Sequence, residues 1–212
     1  MKLLPIPGPE QFADYAESQG WLLSPDQKEC ITELAQWLAD GAPPLKLSKY
    51  ADLPSVLSYA IAPALVLPDL IELSQVNRVV DLGAGSGALG LTLSIIRPGW
   101  EVTLIERRSK AATFLEWTIR RFGLENVRVR HENAAVGTTE GAAPYDLVCL
   151  RAVASAQRAL QLAGSLAGFG GHVVAWHKAE DEGFHPPHSP LRYVATTPTV
   201  IPGLVASLYR PQ

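Results

Sequence analysis

Asp81-Leu82-Gly83-Ala84-Gly85-Ser86-Gly87 is the stretch that decides how this chain folds. It follows Arg78-Val79-Val80, so that Arg78 to Leu82 reads as a short strand rich in β-branched residues. Behind it, Ala88 to Ile96 is an apolar run that reads as a helix. Glycines between a strand and a helix let the backbone turn sharply and approach a ligand without Cβ clashes. In an open α/β sheet this first turn lies at the carboxyl edge of the strands, where ligands bind.

Working outward toward the C-terminus, strands and helices alternate. Glu101 to Glu106 is predicted as the second strand and Ser109 to Phe122 as the second helix, with Phe114, Trp117 and Ile119 among its apolar positions. Val127 to Arg130 is the third strand. A loop, Gly137 to Pro144, leads to the fourth, Tyr145 to Leu150. Ala156 to Leu166 is helical, and Gly170-Gly171 turns the chain into a fifth strand, His172 to Trp176. Leu191 to Thr196 and Leu204 to Tyr209 are expected to pair as antiparallel edge strands. This spacing predicts an α/β fold with a Rossmann-like, doubly wound, mostly parallel sheet.

Toward the N-terminus the pattern is helical. Pro9 to Gly20 reads as a short amphipathic helix stopped by glycine. Ser24 caps a second helix, with Pro25 at its first position and Gln27 completing a Ser-x-x-Gln capping box. Ile31, Leu34, Ala35 and Leu38 form its buried stripe, and Gly41, Pro43 and Pro44 end it. Leu53 to Leu73 reads as two short helices broken near Pro63 and Pro68. The expected organisation is a helical extension over 1–75 and a ligand-binding domain over 76–212.

The chain has 212 residues, 47% of them apolar, which suits one α/β domain with a small extension. No apolar run is long enough for a membrane span, and Met1 to Pro9 lacks the build of a signal peptide, so a cytoplasmic protein is expected. Cys30 and Cys149 are then expected as reduced thiols. A net charge of −3 argues against a protein that coats nucleic acid non-specifically. It leaves room for a local basic patch from Arg107, Arg108, Lys110, Arg120, Arg121, Arg128 and Arg130, read either as a polyanion footprint or as a solvated face.

The glycine turn admits more than one ligand. Gly85-Ser86-Gly87-Ala88-Leu89-Gly90 fits the dinucleotide pattern G-x-G-x-x-G, a weak signal by itself. Two acids favour S-adenosylmethionine. Asp81, just before the first glycine, attracts a cationic methionine end and repels a pyrophosphate. Glu106, ending the next strand, can accept both ribose hydroxyls of an adenosine, though a nicotinamide dinucleotide carries such a ribose too.

Several of these residues recur in one order in a known family. Asp81 to Gly87, Leu104-Ile105-Glu106, Lys110 with Phe114-Leu115, Leu124 to Val127, Tyr145-Asp146 and Arg151-Ala152 resemble the bacterial small-subunit (16S) ribosomal RNA guanine-N7 methyltransferase family, also called glucose-inhibited division protein B. The likeness covers roughly residues 78–178. It implies a class I methyltransferase fold with S-adenosylmethionine as cofactor. The cofactor set it implies is Asp81, Gly83, Ala84, Gly85, Gly87, Leu89, Glu106, Arg107, Asn133 and Ala134. It also implies substrate roles for Arg151, a rigid donor fork for a guanine edge or a phosphate, and for Lys178, a point charge for the RNA backbone. Guanine N7 carries an in-plane lone pair, so no general base is required and proximity can carry most of the rate. The expected partner is 16S rRNA or the small ribosomal subunit.

The chain departs from that family mainly in its substrate half. Lys178-Ala179 stands for the family's Lys-Gly, and the family's His and Asp-Ser are replaced within Tyr59 to Pro63. A methyltransferase for a small molecule or protein, or a non-catalytic adenosylmethionine-binding paralogue, are therefore the alternatives. His177, His185 and His188 match no familiar zinc spacing, and no metal is expected. Trp100, Trp117 and Trp176 are expected in the core, with Trp21 and Trp37 docking the helical extension.

Overall fold

A computed structural model describes residues 6–132, 144–151, 156–181 and 191–212. Among these, seven strands form one sheet: β1 (Arg78–Leu82), β2 (Glu101–Glu106), β3 (Val127–His131), β4 (Tyr145–Arg151), β5 (Ala167–Lys178), β6 (Leu191–Pro198) and β7 (Leu204–Pro211). Their order across the sheet is β3-β2-β1-β4-β5-β7-β6. The first five strands run parallel, and β7 and β6 close the sheet antiparallel. The strand direction reverses its winding at β1 and β4, the switch point that places a ligand crevice outside their carboxyl ends.

Helices cover both faces. The sequence places them at α1 (Pro9–Ser18), α2 (Pro25–Gly41), α3 (Leu53–Ser55), α4 (Ala88–Ile96), α5 (Ser109–Phe122) and α6 (Ala156–Leu166). In α2 the predicted capping box is complete: Ser24 accepts the Gln27 N–H, and the Gln27 side chain accepts the Ser24 N–H. The Gln27 amide also donates to the Ile95 and Ile96 carbonyls, so one residue caps the start of α2 and the end of α4. The α2 stripe (Ile31, Leu34, Ala35, Leu38) packs in one core with Leu91 of α4, Leu104 of β2 and Phe114 of α5. The opposite face is a smaller core in which α6 gives Leu160, Ala163 and Leu166 against Val80, Val148 and Val173.

Three expectations are corrected. The two short helices expected over Leu53 to Leu73 are not of regular α type. The segment is a run that passes from α3 into a π-helical turn, Val56–Ile61, and then a 3-10 stretch, Ala62–Asp69. Pro63 supplies no N–H, so a regular α-helix would leave the Tyr59 carbonyl without a donor. Second, β5 begins at Ala167 rather than His172, with a register shift opposite Tyr145 and Leu147 that absorbs the glycines. Third, Trp117 is 54% exposed, because the buried stripe of α5 runs through Ala111, Ala112, Phe114, Leu115 and Thr118 and leaves position 117 outside it. Trp100 and Trp176 are buried as expected. The predicted loop Gly137 to Pro144 falls, up to residue 143, outside the described residues.

The helical N-terminal region is fastened to the sheet by polar contacts as well as apolar ones. Trp37 stacks on Phe114 and donates to Thr118 Oγ1 at 2.9 Å. Trp21 Nε1 donates to the Leu65 carbonyl at 2.7 Å, and Trp176 Nε1 to the Pro63 carbonyl at 2.7 Å. Both cysteines are free thiols. Among the described residues no helix is long and apolar enough to cross a membrane.

Candidate cofactor and substrate site

The glycine turn joins β1 to α4 at the carboxyl edge of the sheet. Its Gly83 and Ala84 N–H groups donate to the Ile105 carbonyl at 2.8 and 3.1 Å, which ties the turn to the end of β2. Gly87 adopts φ 81°, and a Cβ there would stand 2.5 Å from Leu115 Cδ2 and 2.6 Å from Leu91 Cδ1. Gly90 is the third glycine of the pattern and serves close packing. A Cβ on it would lie 2.4 Å from Leu104 Cδ2 and 3.1 Å from Asp81 Oδ2.

Asp81 and Glu106 sit at the ends of adjacent strands, one on each side of this turn. Asp81 is 2% exposed, and its Oδ2 accepts the Gly90 N–H at 3.0 Å. Burial pushes its carboxyl up to about 7, against the Gly90 N–H and Arg151, with Glu106 adding to the rise. Glu106 is 4% exposed and is held from three directions. Its Oε2 accepts the Gly85 N–H at 2.9 Å, while Oε1 accepts the Arg108 N–H at 2.8 Å and Arg108 Nε at 3.2 Å. Burial raises its pKa, but these donors outweigh it and keep the carboxylate below its ordinary value. Glu106 is thus charged at neutral pH, and Asp81 is poised between forms.

Arg151 ends β4, beside Asp81. Nη1 donates to the Ala60 carbonyl at 2.5 Å and Nη2 to that of Tyr59. The second bond supplies the donor that Pro63 lacks. Burial pulls the guanidinium pKa down, and Tyr50 and Asp81 oppose the fall. Arg151 therefore clamps the irregular helical run onto the sheet edge. Lys178 ends β5 on the face that Trp176 shares, is exposed, and pairs with Glu180 at 3.1 Å. Cys149, the register partner of Asp81, is fully buried, and burial with Asp81 drives its thiol pKa well up, so it is no nucleophile.

The structure thus brings Asp81, Gly85, Gly87 and Glu106 together with Arg151 at one edge, and leaves Lys178 on a strand further along. The side chain of Leu89 lies in the core, and Arg107 is exposed beside Glu106. Asn133 and Ala134 lie outside the described residues, as do His185 and His188. Arg108 is a contact that sequence reasoning missed: an arginine two residues beyond a strand-end acid gives no distinctive signal. Of the basic patch, Arg120 pairs with Glu116, Arg130 with Glu132, Arg128 bonds Thr103, and Arg121 lies over Trp37 and Phe122. Those cations serve a solvated helix face and an edge strand. Among the described residues, no cluster of His, Cys, Asp and Glu is placed to hold a metal.

The donor set fits S-adenosylmethionine. Two buried carboxylates flank a glycine turn, one suited to a cation and one to a vicinal diol, in a place where a pyrophosphate would be repelled. Solved structures with the same fold agree in architecture. A mutant of MtNAS in complex with S-adenosylmethionine superposes with a TM-score of 0.59 over 96% of this chain and 77% of that one, at 16% identity. LaPhzM gives 0.56 over 70% of this chain and 54% of that one, also at 16% identity. The fold is that of the S-adenosylmethionine-dependent methyltransferases. The profile of the family described as rRNA small subunit methyltransferase G matches residues 27–185. Proteins named ribosomal RNA small subunit methyltransferase G are similar in sequence: that of Brevibacillus brevis at 32% identity over 81% of this chain and 73% of its own length. That of Sorangium cellulosum is 34% identical over 70% of this chain and 63% of its own length. The chain belongs to the rRNA small subunit methyltransferase G family, and is an S-adenosylmethionine-dependent methyltransferase.

Proposed function

We propose that this protein methylates N7 of a guanosine in 16S rRNA, as naked RNA or within the small subunit, in the cytoplasm. The observation that carries the reading beyond family membership is the commitment of the charged groups at the site. Asp81 Oδ2 accepts the Gly90 N–H, Glu106 accepts from Gly85 and Arg108, and Arg151 donates to two carbonyls. Among the described residues at this edge, Asp81 titrates near neutrality but is 2% exposed and bonded to the Gly90 N–H, so it is not open to an acceptor. N7 of guanine needs no general base, because its lone pair attacks before any proton moves.

S-adenosylmethionine supplies a methyl group made electrophilic by its sulfonium. In this reading Glu106 holds the ribose hydroxyls, Asp81 faces the methionine ammonium, and the glycine turn admits the nucleoside against the backbone. Asn133 and Ala134 belong to the cofactor set that the family likeness implies, and Lys178 would meet the RNA backbone near the exit of the methyl. Arg151 would act by holding the N-terminal run over the site. Orientation of the two reactants then supplies most of the acceleration.

The test is transfer of labelled methyl from S-adenosylmethionine to 16S rRNA lacking the modification. The product is then reduced with borohydride and cleaved with aniline, which cuts at 7-methylguanosine. The expected result is one cut in the wild-type reaction and none with Glu106→Ala, whose affinity for adenosylhomocysteine falls at least roughly tenfold, about the worth of one charged hydrogen bond. No transfer above a Gly85→Arg control would refute it.

A further inference from the structure

The run from Leu45 to Ala60 carries aromatic and basic residues that the cofactor site does not use. Tyr50 and Tyr59 are stacked, with ring centroids 5.4 Å apart and planes 21° from parallel. Both are half-buried, and Tyr59 belongs to neither core. Lys49 Nζ lies 5.4 Å from the Tyr50 ring centroid, and Lys46 is exposed nearby in sequence. The pair has a fixed place relative to the site. Arg151, at the end of β4, donates to the Tyr59 carbonyl and feels both the Tyr50 phenol and Asp81.

A rigid aromatic pair with cations beside it, at the edge where an acceptor must arrive, has the chemistry of a base-stacking site. Every nucleobase has a π-face, and a lysine next to it meets the backbone phosphate. Resting on the methyltransferase reading above, we propose that Tyr50 and Tyr59 form the platform on which an unpaired guanine of single-stranded RNA stacks, with Lys46 and Lys49 against its phosphates. Arg151 is then a positioning residue: it sets the platform, and the platform sets the base.

The experiment measures binding of a short, 5′-labelled, guanosine-rich single-stranded RNA by fluorescence anisotropy, with saturating adenosylhomocysteine. Tyr50→Ala and Tyr59→Ala should each weaken binding by roughly tenfold to a hundredfold, the range of one lost stacking contact, while the Phe variants stay near wild type. Lys46→Gln and Lys49→Gln should each flatten the salt dependence by about one unit of log–log slope. Adenosylhomocysteine affinity, measured by calorimetry, should be unchanged throughout and reports that each variant is folded. A photo-cross-link from an 8-azidoguanosine-bearing RNA to the wild-type protein needs no variant, and should map to Tyr50 or Tyr59. Wild-type protein that fails to bind the RNA, Ala variants that bind as wild type does, or adducts confined elsewhere would overturn the platform. Tyrosine-dependent binding without methyl transfer would leave the platform standing and sink the guanosine-N7 reading instead.

Discussion

Replacing Asp81 with asparagine isolates the electrostatics of this site. The substitution keeps an oxygen to accept the Gly90 N–H and removes a buried charge. In the free chain the carboxyl titrates near 3.8, and burial moves it to about 7 in the folded protein. The difference, 7 − 3.8, is worth about 4 kcal/mol at about 1.4 kcal/mol per pH unit. The sign follows from which state holds the proton. Between those two pH values the native protein keeps a proton that the unfolded chain has released, so this group makes stability fall as pH rises, and its effect levels off above about 7. From about pH 5 to about pH 8 the loss is about 2.5 kcal/mol. Urea unfolding of wild type and Asp81→Asn across that range measures it, because subtracting the two curves cancels every other titrating group. The difference curve should slope toward a relatively more stable variant at high pH. Parallel curves would show that Asp81 is ionised or solvated in the folded protein and refute the argument.

Other perturbations follow from packing and hydrogen bonding. Gly90→Ala puts a methyl 2.4 Å from Leu104 Cδ2 and should cost about 1–3 kcal/mol in urea unfolding, with weaker adenosylhomocysteine binding. Trp176→Phe leaves the Pro63 carbonyl without its donor and should cost about 1–3 kcal/mol, with hydrogen-exchange protection lost first in residues 62–69. Arg151→Met strips the donors from Tyr59 and Ala60 and the cation from beside Asp81. A loss of about 3 kcal/mol in unfolding free energy is expected, and unchanged stability with a collapsed kcat would instead mean that Arg151 grips the substrate.

Much of the sheet was legible because its signals are local. Arg78–Leu82, Ala88–Ile96, Glu101–Glu106, Ser109–Phe122 and Ala156–Leu166 all end where glycine, proline or a change of hydrophobic period ends them. Asp81, Glu106 and the glycines were legible for the same reason: their roles depend on neighbours a few residues away and on one strand crossover. Trp117 was misjudged because it follows Phe114 at helical spacing yet lies just outside the one stripe of α5 that packs inward. The α–π–3-10 run over 53–69 was misjudged because its carbonyls are satisfied by Trp21, Arg151 and Trp176, which stand 44 to 113 residues away in sequence.

Arg151 shows where the division lies. Its residue type and its place after the fourth strand were enough to bring it to the ligand edge. Which atoms its guanidinium meets there was settled by a proline in the N-terminal run that withholds one N–H. The sequence by itself determined the strand–glycine–helix turn and the two acids beside it, because backbone freedom and strand alternation act over a few residues. Only the tertiary structure decided the charge state of Asp81, the partners of Arg151 and the Tyr50–Tyr59 stack. Burial and long-range hydrogen bonds exist only once segments remote in the chain have been brought together.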